Sequence, residues 1–410
     1  MRKILTLLLL GSTSLFAQTT VFKGATIHVG NGRVIENGNL LVANGLIAYC
    51  GNGTDGQDRT DVKVIDVTGQ HIYPGFIAPN CYVGLNEIDA ARATRDFYEV
   101  GEIKPNTRSL IAFNTDSKLL PTMRFNGVLM AQVVPQGGMI AGTSSIMNMA
   151  GWNWEDAALK PDDAIYLNWH ETINPADKEF AEKYTKHLGE LTKFLEEAAA
   201  YCKLIKPSET NLKFEAMRPV FAGSKKVFVN VNTAKGIAEA IDYLAKHKLK
   251  PVIVGGSESY LITDLLKKQD IPVVLMNIHR LPDQPSDAVD LPYRMPSILK
   301  AAGIRFCVGI HGSWEVRNLG FQAGTIAGYG LTKEEALAAI TANTAEILGI
   351  DKLVGTLEQG KQATFFVSKG DALDMQGNLL TYIFVNGKAV AVDGQQQELN
   401  TKFQEKYWGK

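Results

Sequence analysis

The chain has 410 residues, with 42 lysines and arginines against 43 aspartates and glutamates, and 45% of it is hydrophobic. That even balance, without a basic run, excludes a nucleic-acid binder of the electrostatic kind. The length exceeds one ordinary domain but suits a barrel with a small accessory domain.

Residues 1–17 read as a secretory signal, because Arg2 and Lys3 precede an apolar run at 4–10 and the small residue Ala17 ends the segment. The run is far shorter than the roughly 20 apolar residues that a span needs, so no membrane span is expected after cleavage. The expected location is the periplasm or the extracellular space. Losing Arg2 and Lys3 moves the formal charge from −1 to about −3. Cys50, Cys81, Cys202 and Cys307 are scattered with no Cys-x-x-Cys pair, and they read as buried free thiols.

Next, residues 18–72 hold short strands at 21–29, 39–42, 46–50 and 63–67, punctuated by Gly30-Asn31-Gly32, Asn44-Gly45 and Gly51-Asn52-Gly53, residues suited to positive-φ hairpin turns. Residues 351–410 supply similar strands at 363–367, 380–385 and 389–392 with an Asn386-Gly387 turn. Between them, residues 73–350 alternate strand and helix signals. Strands are expected at 127–134, 226–231, 251–255, 272–276 and 304–310, and helices at 176–205, 234–247, 259–268 and 333–348, the last opened by a Thr332/Glu335 capping box. This pattern predicts an α/β fold: a (β/α)8 TIM-like barrel inserted into a small composite β-sandwich domain built from both termini.

The stretch at 70–85, Gln-His-Ile-Tyr-Pro-Gly-Phe-Ile-Ala-Pro-Asn-Cys-Tyr-Val-Gly-Leu, reads as a buried strand with Asn80 and Tyr82 at its end. It resembles the entry to the barrel in the amidohydrolase superfamily, where Pro-Gly-Phe-Ile-Asp-x-His-x-His brings out two metal-binding histidines. Residues 355–364 are similar to the family's Gly-x-hydrophobic-x-x-Gly-Lys-x-Ala-Asp, with Thr364 in place of the aspartate. Residues 113–154, with a Pro-x-Gly-Gly-x-x-x-Gly loop from Pro135 to Gly142, resemble a secreted, imidazolonepropionase-like branch.

The resemblance implies a hydrolase acting on non-peptide carbon–nitrogen bonds, with divalent zinc or a similar metal lowering the pKa of a bound water. The family's ligand positions are altered in this sequence. Ala78, Asn80 and Tyr82 stand at the first aspartate and the two histidines; Asn230 and Asn232 stand after one strand, Gly255 after the next, and His311 where the proton-transferring aspartate is expected. An amide oxygen is a weak zinc ligand and a tyrosine a poor one unless its pKa is depressed. The expectation is therefore no bound metal, impaired catalysis, and a small polar molecule held in the barrel mouth by Asn80, Tyr82, Asn230, Asn232, Glu258 and His279, with His311 the one candidate catalytic group.

Two alternatives remain open: an active hydrolase with a rearranged mononuclear site using His279 and His311, and a periplasmic ligand-binding pseudoenzyme that stabilises an active relative. The resemblance also implies a homodimer, or a hetero-oligomer with such a relative. His28, His71, His170, His187 and His247 read as packing or surface residues. A serine nucleophile lacks support, since there is no Gly-x-Ser-x-Gly and Ser257 reads as a helix cap.

Overall fold

The computed structural model describes residues 19–53, 62–171 and 178–409; the signal segment at 1–17 and the start of the helix expected at 176 lie outside them. The chain opens with β1 (Thr19–His28), β2 (Val34–Ala43), β3 (Leu46–Gly51), β4 (Val62–Asp66) and β5 (His71–Pro74). The barrel strands follow: β6 (Phe76–Cys81), β7 (Val128–Val133), β8 (Ile140–Asn148), β9 (Ala158–Asn168), β10 (Lys226–Val231), β11 (Pro251–Gly255), β12 (Val273–Met276) and β13 (Phe306–Gly309). The chain then returns to the first sheet with β14 (Phe365–Ser368), β15 (Leu380–Val385) and β16 (Lys388–Val390).

The first sheet runs β16-β15-β14-β5-β1-β2-β3, with β4 beside β1, so strands from both ends of the chain share one hydrogen-bonded surface. Its own apolar core includes Phe22, Leu40, Ile47, Phe365 and Phe384. Phe22 meets both Phe365 and Phe384 edge-on, and those two rings stack at 5.1 Å, an aromatic cluster that joins the two termini.

The second sheet runs β6 to β13 in chain order as a nearly closed barrel. Val308 N donates to Ala339 O and Ile77 N to Ile340 O, so residues 339–340 bridge the gap between β13 and β6. Those bonds explain why the single helix expected at 333–348 is two, Lys333–Ala338 and Ala342–Leu348: carbonyls at the break serve the barrel strands instead of a helix. The capping box at Thr332 and Glu335 is present.

Strict β/α alternation fails on one side. β8 is antiparallel to both β7 and β9, because residues 134–139 and 149–157 are too few for a crossover of the dozen or more residues that parallel neighbours need. The Pro135-Gln136-Gly137-Gly138 segment is the turn between β7 and β8. Gly137 and Gly138 lie at φ 75° and 72°, and a Cβ on Gly138 would come within 2.8 Å of the Glu102 carbonyl oxygen.

Candidate ligand site at the barrel mouth

The carboxyl ends of the barrel strands surround a cavity of about 270 Å³ lined by Asn80, Asn230, Asn232, Val254, Gly255, Met276, Asn277, Arg280, Asp283 and His311. In a β/α barrel this is the end where ligands bind.

Asn80 is buried on β6 at φ 49°, the left-handed region that asparagine tolerates better than most residues. Its backbone N–H donates to Gln132 Oε1, while its side-chain Oδ1 is buried with no hydrogen-bond partner. An unmet buried acceptor costs free energy and calls for an explanation. Asn230 is the penultimate residue of β10, and its Nδ2 donates to Oδ1 of Asn168 on β9 at 2.6 Å. Asn232 follows, its backbone N–H donating to Glu171. Gly255 sits at φ 91°, where a Cβ would lie 2.3 Å from Asn232 Oδ1, so a side chain there meets both strain and Asn232.

Three of the residues expected to line the pocket do not. Alternation along a strand would place Tyr82 beside Asn80, but the left-handed turn at Asn80 and the irregular β6/β7 register break the period-two rule. Tyr82 instead stacks on Phe97 at 4.5 Å and meets the edge of His311 at 5.3 Å. Burial, helped by Asp89 and Glu315, raises its phenol pKa, the direction opposite to what metal ligation wants. Glu258 accepts the Ala234 N–H at 2.8 Å and thereby caps helix Ala234–Lys246, alongside the N-cap Thr233. His279 is exposed and bonds Thr325 Oγ1 of helix Leu319–Gly328 at 2.6 Å, outside the pocket lining. The chain after β12 turns at Asn277, φ 52°, and presents Arg280 to the cavity instead.

His311 does reach the mouth. Its backbone N–H donates to Asn277 Oδ1 at 3.0 Å, and its ring is open to solvent yet crowded by the walls. Desolvation lowers its pKa, partly offset by Glu315, a shift that favours the neutral imidazole.

Asn277, Arg280 and Asp283 were missed in the sequence. Arg280 Nη1 and Asp283 Oδ1 form an ion pair at 2.6 Å on the rim. The signal available was Met276-Asn277, which repeats the strand-end asparagine of Val229-Asn230.

This donor set does not fit a divalent ion. Only His311 offers an imidazole, Asp283 is committed to Arg280, and the other polar groups are amides. Among the described residues, no group of three or more His, Cys, Asp or Glu is placed to hold one.

The fold and the strand-end cavity define the class, a barrel protein with a pocket at the carboxyl ends of its strands. A sequence profile of the amidohydrolase family matches residues 294–395. Among curated proteins, the amidohydrolase tasK of Hapsidospora irregularis is 24% identical over 371 residues, 77% of this chain and 37% of that one, so this chain spans little more than a third of that relative's length. An amidohydrolase from Thermotoga maritima MSB8 superimposes with a TM-score of 0.79 at 22% identity, over 91% of this chain and 99% of that one. The A. niger ochratoxinase does so with a TM-score of 0.55 at 15% identity, over 92% and 98%. The profile match is confined to residues 294–395, and the structural neighbours share the fold over about nine-tenths of the chain.

Proposed function

We propose that this protein binds a small, neutral, polar molecule of amide or urea type in the barrel mouth and hydrolyses carbon–nitrogen bonds poorly or not at all, without a bound metal. The observation that carries this reading is the strand-end cavity lined by four asparagines, among them Asn80, whose buried side-chain oxygen has no partner. Amide side chains offer both donors and acceptors to such a molecule, and a ligand that accepts can also meet Arg280 or His311. The cavity, at about 270 Å³, lies just below the usual range of about 300–1,000 Å³ for small-molecule sites, which favours a compact ring or a dipeptide-sized fragment.

The reading includes secretion to the periplasm or beyond, membership of the imidazolonepropionase-like branch, and assembly either as a homodimer or with an active relative. Support for assembly comes from helix Gln395–Trp408, where Leu399, Phe403 and Tyr407 are exposed at four-residue spacing on one face.

The test is elemental analysis of the purified protein, together with turnover on a panel of cyclic amides and dipeptides. Well under one equivalent of zinc, manganese or iron is expected, unchanged when His279 and His311 are both replaced by alanine, with turnover at background. A stoichiometric ion that the double variant loses, accompanied by turnover, would return the protein to the working hydrolases with a rearranged site.

A further inference from the structure

At the opposite end of the barrel from the mouth lies a larger cavity, of about 600 Å³, between the loop at 105–108, the starts of β9 and β10, and helix Leu212–Phe221. Its walls are largely apolar, with Pro105, Pro161, Leu212, Ala216 and Pro219 facing the space.

The charges around it are nearly all committed. Asp162 accepts a two-pronged bond from Arg108, both arms at 2.8 Å. The buried Asp163 accepts from Ser144 Oγ at 2.6 Å and Gln132 Nε2 at 2.8 Å. Glu215 is held by Arg218 and by the Tyr201 hydroxyl. Lys160 donates to the Leu348 carbonyl. That leaves Lys225, which makes no side-chain hydrogen bond or ion pair among the described residues. Register fixes its place: Lys226 pairs with Ala164, so Lys225 stands level with Asp163 on the neighbouring strand. Lys225 thus carries the ammonium of this cavity that has no direct partner among the described residues, half-buried and next to an apolar wall, with Asp162 and Asp163 acting on it only through space. Asn106, exposed and also without a side-chain partner among the described residues, can give a second donor.

We infer that this cavity is a binding site for a small organic monocarboxylate, its anion on Lys225 Nζ and its apolar body against the proline-rich wall. One free ammonium suits a monoanion better than a phosphate, which is met by clustered donors. An apolar wall with a few placed polar and charged groups is the usual composition of a small-molecule site. The site is independent of the mouth reading, being built from other residues at the other end of the strands.

The experiment titrates the full-length protein with 4-phenylbutyrate and with the isosteric amide 4-phenylbutyramide by calorimetry, alongside the variants Lys225→Met and Ala216→Trp. The carboxylate is expected to bind with a Kd below about 1 mM and the amide at least about tenfold more weakly, a difference of about 1.4 kcal/mol. Lys225→Met should erase that preference, and Ala216→Trp, which fills the cavity while keeping the lysine, should abolish binding of both. Equal binding of acid and amide, a carboxylate affinity unchanged in either variant, or no saturable binding to the wild type overturns the proposal. Should Lys225→Met not fold, Ala216→Trp and the acid–amide comparison on the wild type still decide it.

Discussion

Replacing Asn80 by glycine separates a side chain kept for a ligand from one kept for the fold. Removing a buried acceptor that has no partner returns about 1–3 kcal/mol. Glycine also adopts φ 49° freely, where an L residue carries up to about 1–2 kcal/mol of strain, less for asparagine. Against this stand about 0.5–1 kcal/mol of extra chain entropy for glycine and about 1–2 kcal/mol of lost packing. The backbone bond from Asn80 to Gln132 survives the change. Gains and losses nearly cancel, so Asn80→Gly should alter unfolding free energy by no more than about 1 kcal/mol. Asn39 is the control: it is also buried, but both ends of its amide are used, accepting from Gly24 N and donating to the Gly53 carbonyl. Asn39→Ala strands both partners and should cost about 2–4 kcal/mol. Urea unfolding, repeated with 2-imidazolidinone as a neutral cyclic urea, adds a second readout. At a hundred times its Kd that ligand should stabilise the wild type by about 2.7 kcal/mol and the Asn80→Gly variant hardly at all. If Asn80→Gly loses more than about 2 kcal/mol without ligand, the side chain is structural and the reasoning fails.

Two further outcomes follow from the same geometry. The double change Asn80→His with Tyr82→His should create neither metal binding nor turnover, because Tyr82 faces Phe97 and His311 rather than the cavity, and Asn230 and Gly255 stay as they are; a stoichiometric zinc in that variant would contradict the placement of Tyr82. His71 tests the seam between the small sheet and the barrel: its Nδ1 lies 3.1 Å from Nε2 of His28, whose Nδ1 meets Glu334 at 2.6 Å and whose ring lies flat on Tyr73 at 4.3 Å. Burial first, then His28, lowers the folded pKa of His71, with Asp371 and Glu36 opposing and Lys333 adding to the shift. A neutral imidazole in the fold that protonates at about 6.5 when unfolded gives stability that is present above that pH and lost as pH falls through it. The stability of the wild type relative to His71→Gln should therefore decline between about pH 7 and pH 5, and a flat difference would show that His71 does not titrate differently in the two states.

Much of the barrel was legible because its parallel strands are short β-branched runs between amphipathic helices. Expected and observed bounds coincide for Lys226–Val231 and Pro251–Gly255. β8 was not, because Thr143-Ser144-Ser145 interrupts its apolar run. All three are buried, and Ser144 bonds Asp163, so the polarity belongs to the barrel interior rather than to a loop. For the mouth, residues directly at strand ends, Asn80, Asn230 and His311, were readable from position alone. Direction was not: the left-handed turns at Asn80 and Asn277 redirect Tyr82 and His279, and Glu258 is drawn to a helix N-terminus by its unpaired N–H groups. Arg280 and Asp283 sit beyond the strand in a segment without periodicity, where sequence carries little signal.

The bonds around the mouth bear on how such a scaffold holds together under the metal-free reading. An ion shared by several strand ends is also a cross-link, and without one the strand ends must be tied by other means or splay. Here Asn230 ties β10 to Asn168 of β9, Asn277 after β12 accepts from His311 after β13, and Tyr82 N after β6 donates to the Gly312 carbonyl. Glu171 and Glu258 hold the turn that follows β10. Each tie is a pairwise hydrogen bond of about 0.5–1.5 kcal/mol, and together they join β9 to β10, β10 to β11, β12 to β13 and β13 to β6 without drawing on Asn80 Oδ1. Cross-linking at these four seams is thereby divided among side-chain and backbone hydrogen bonds that need no ion.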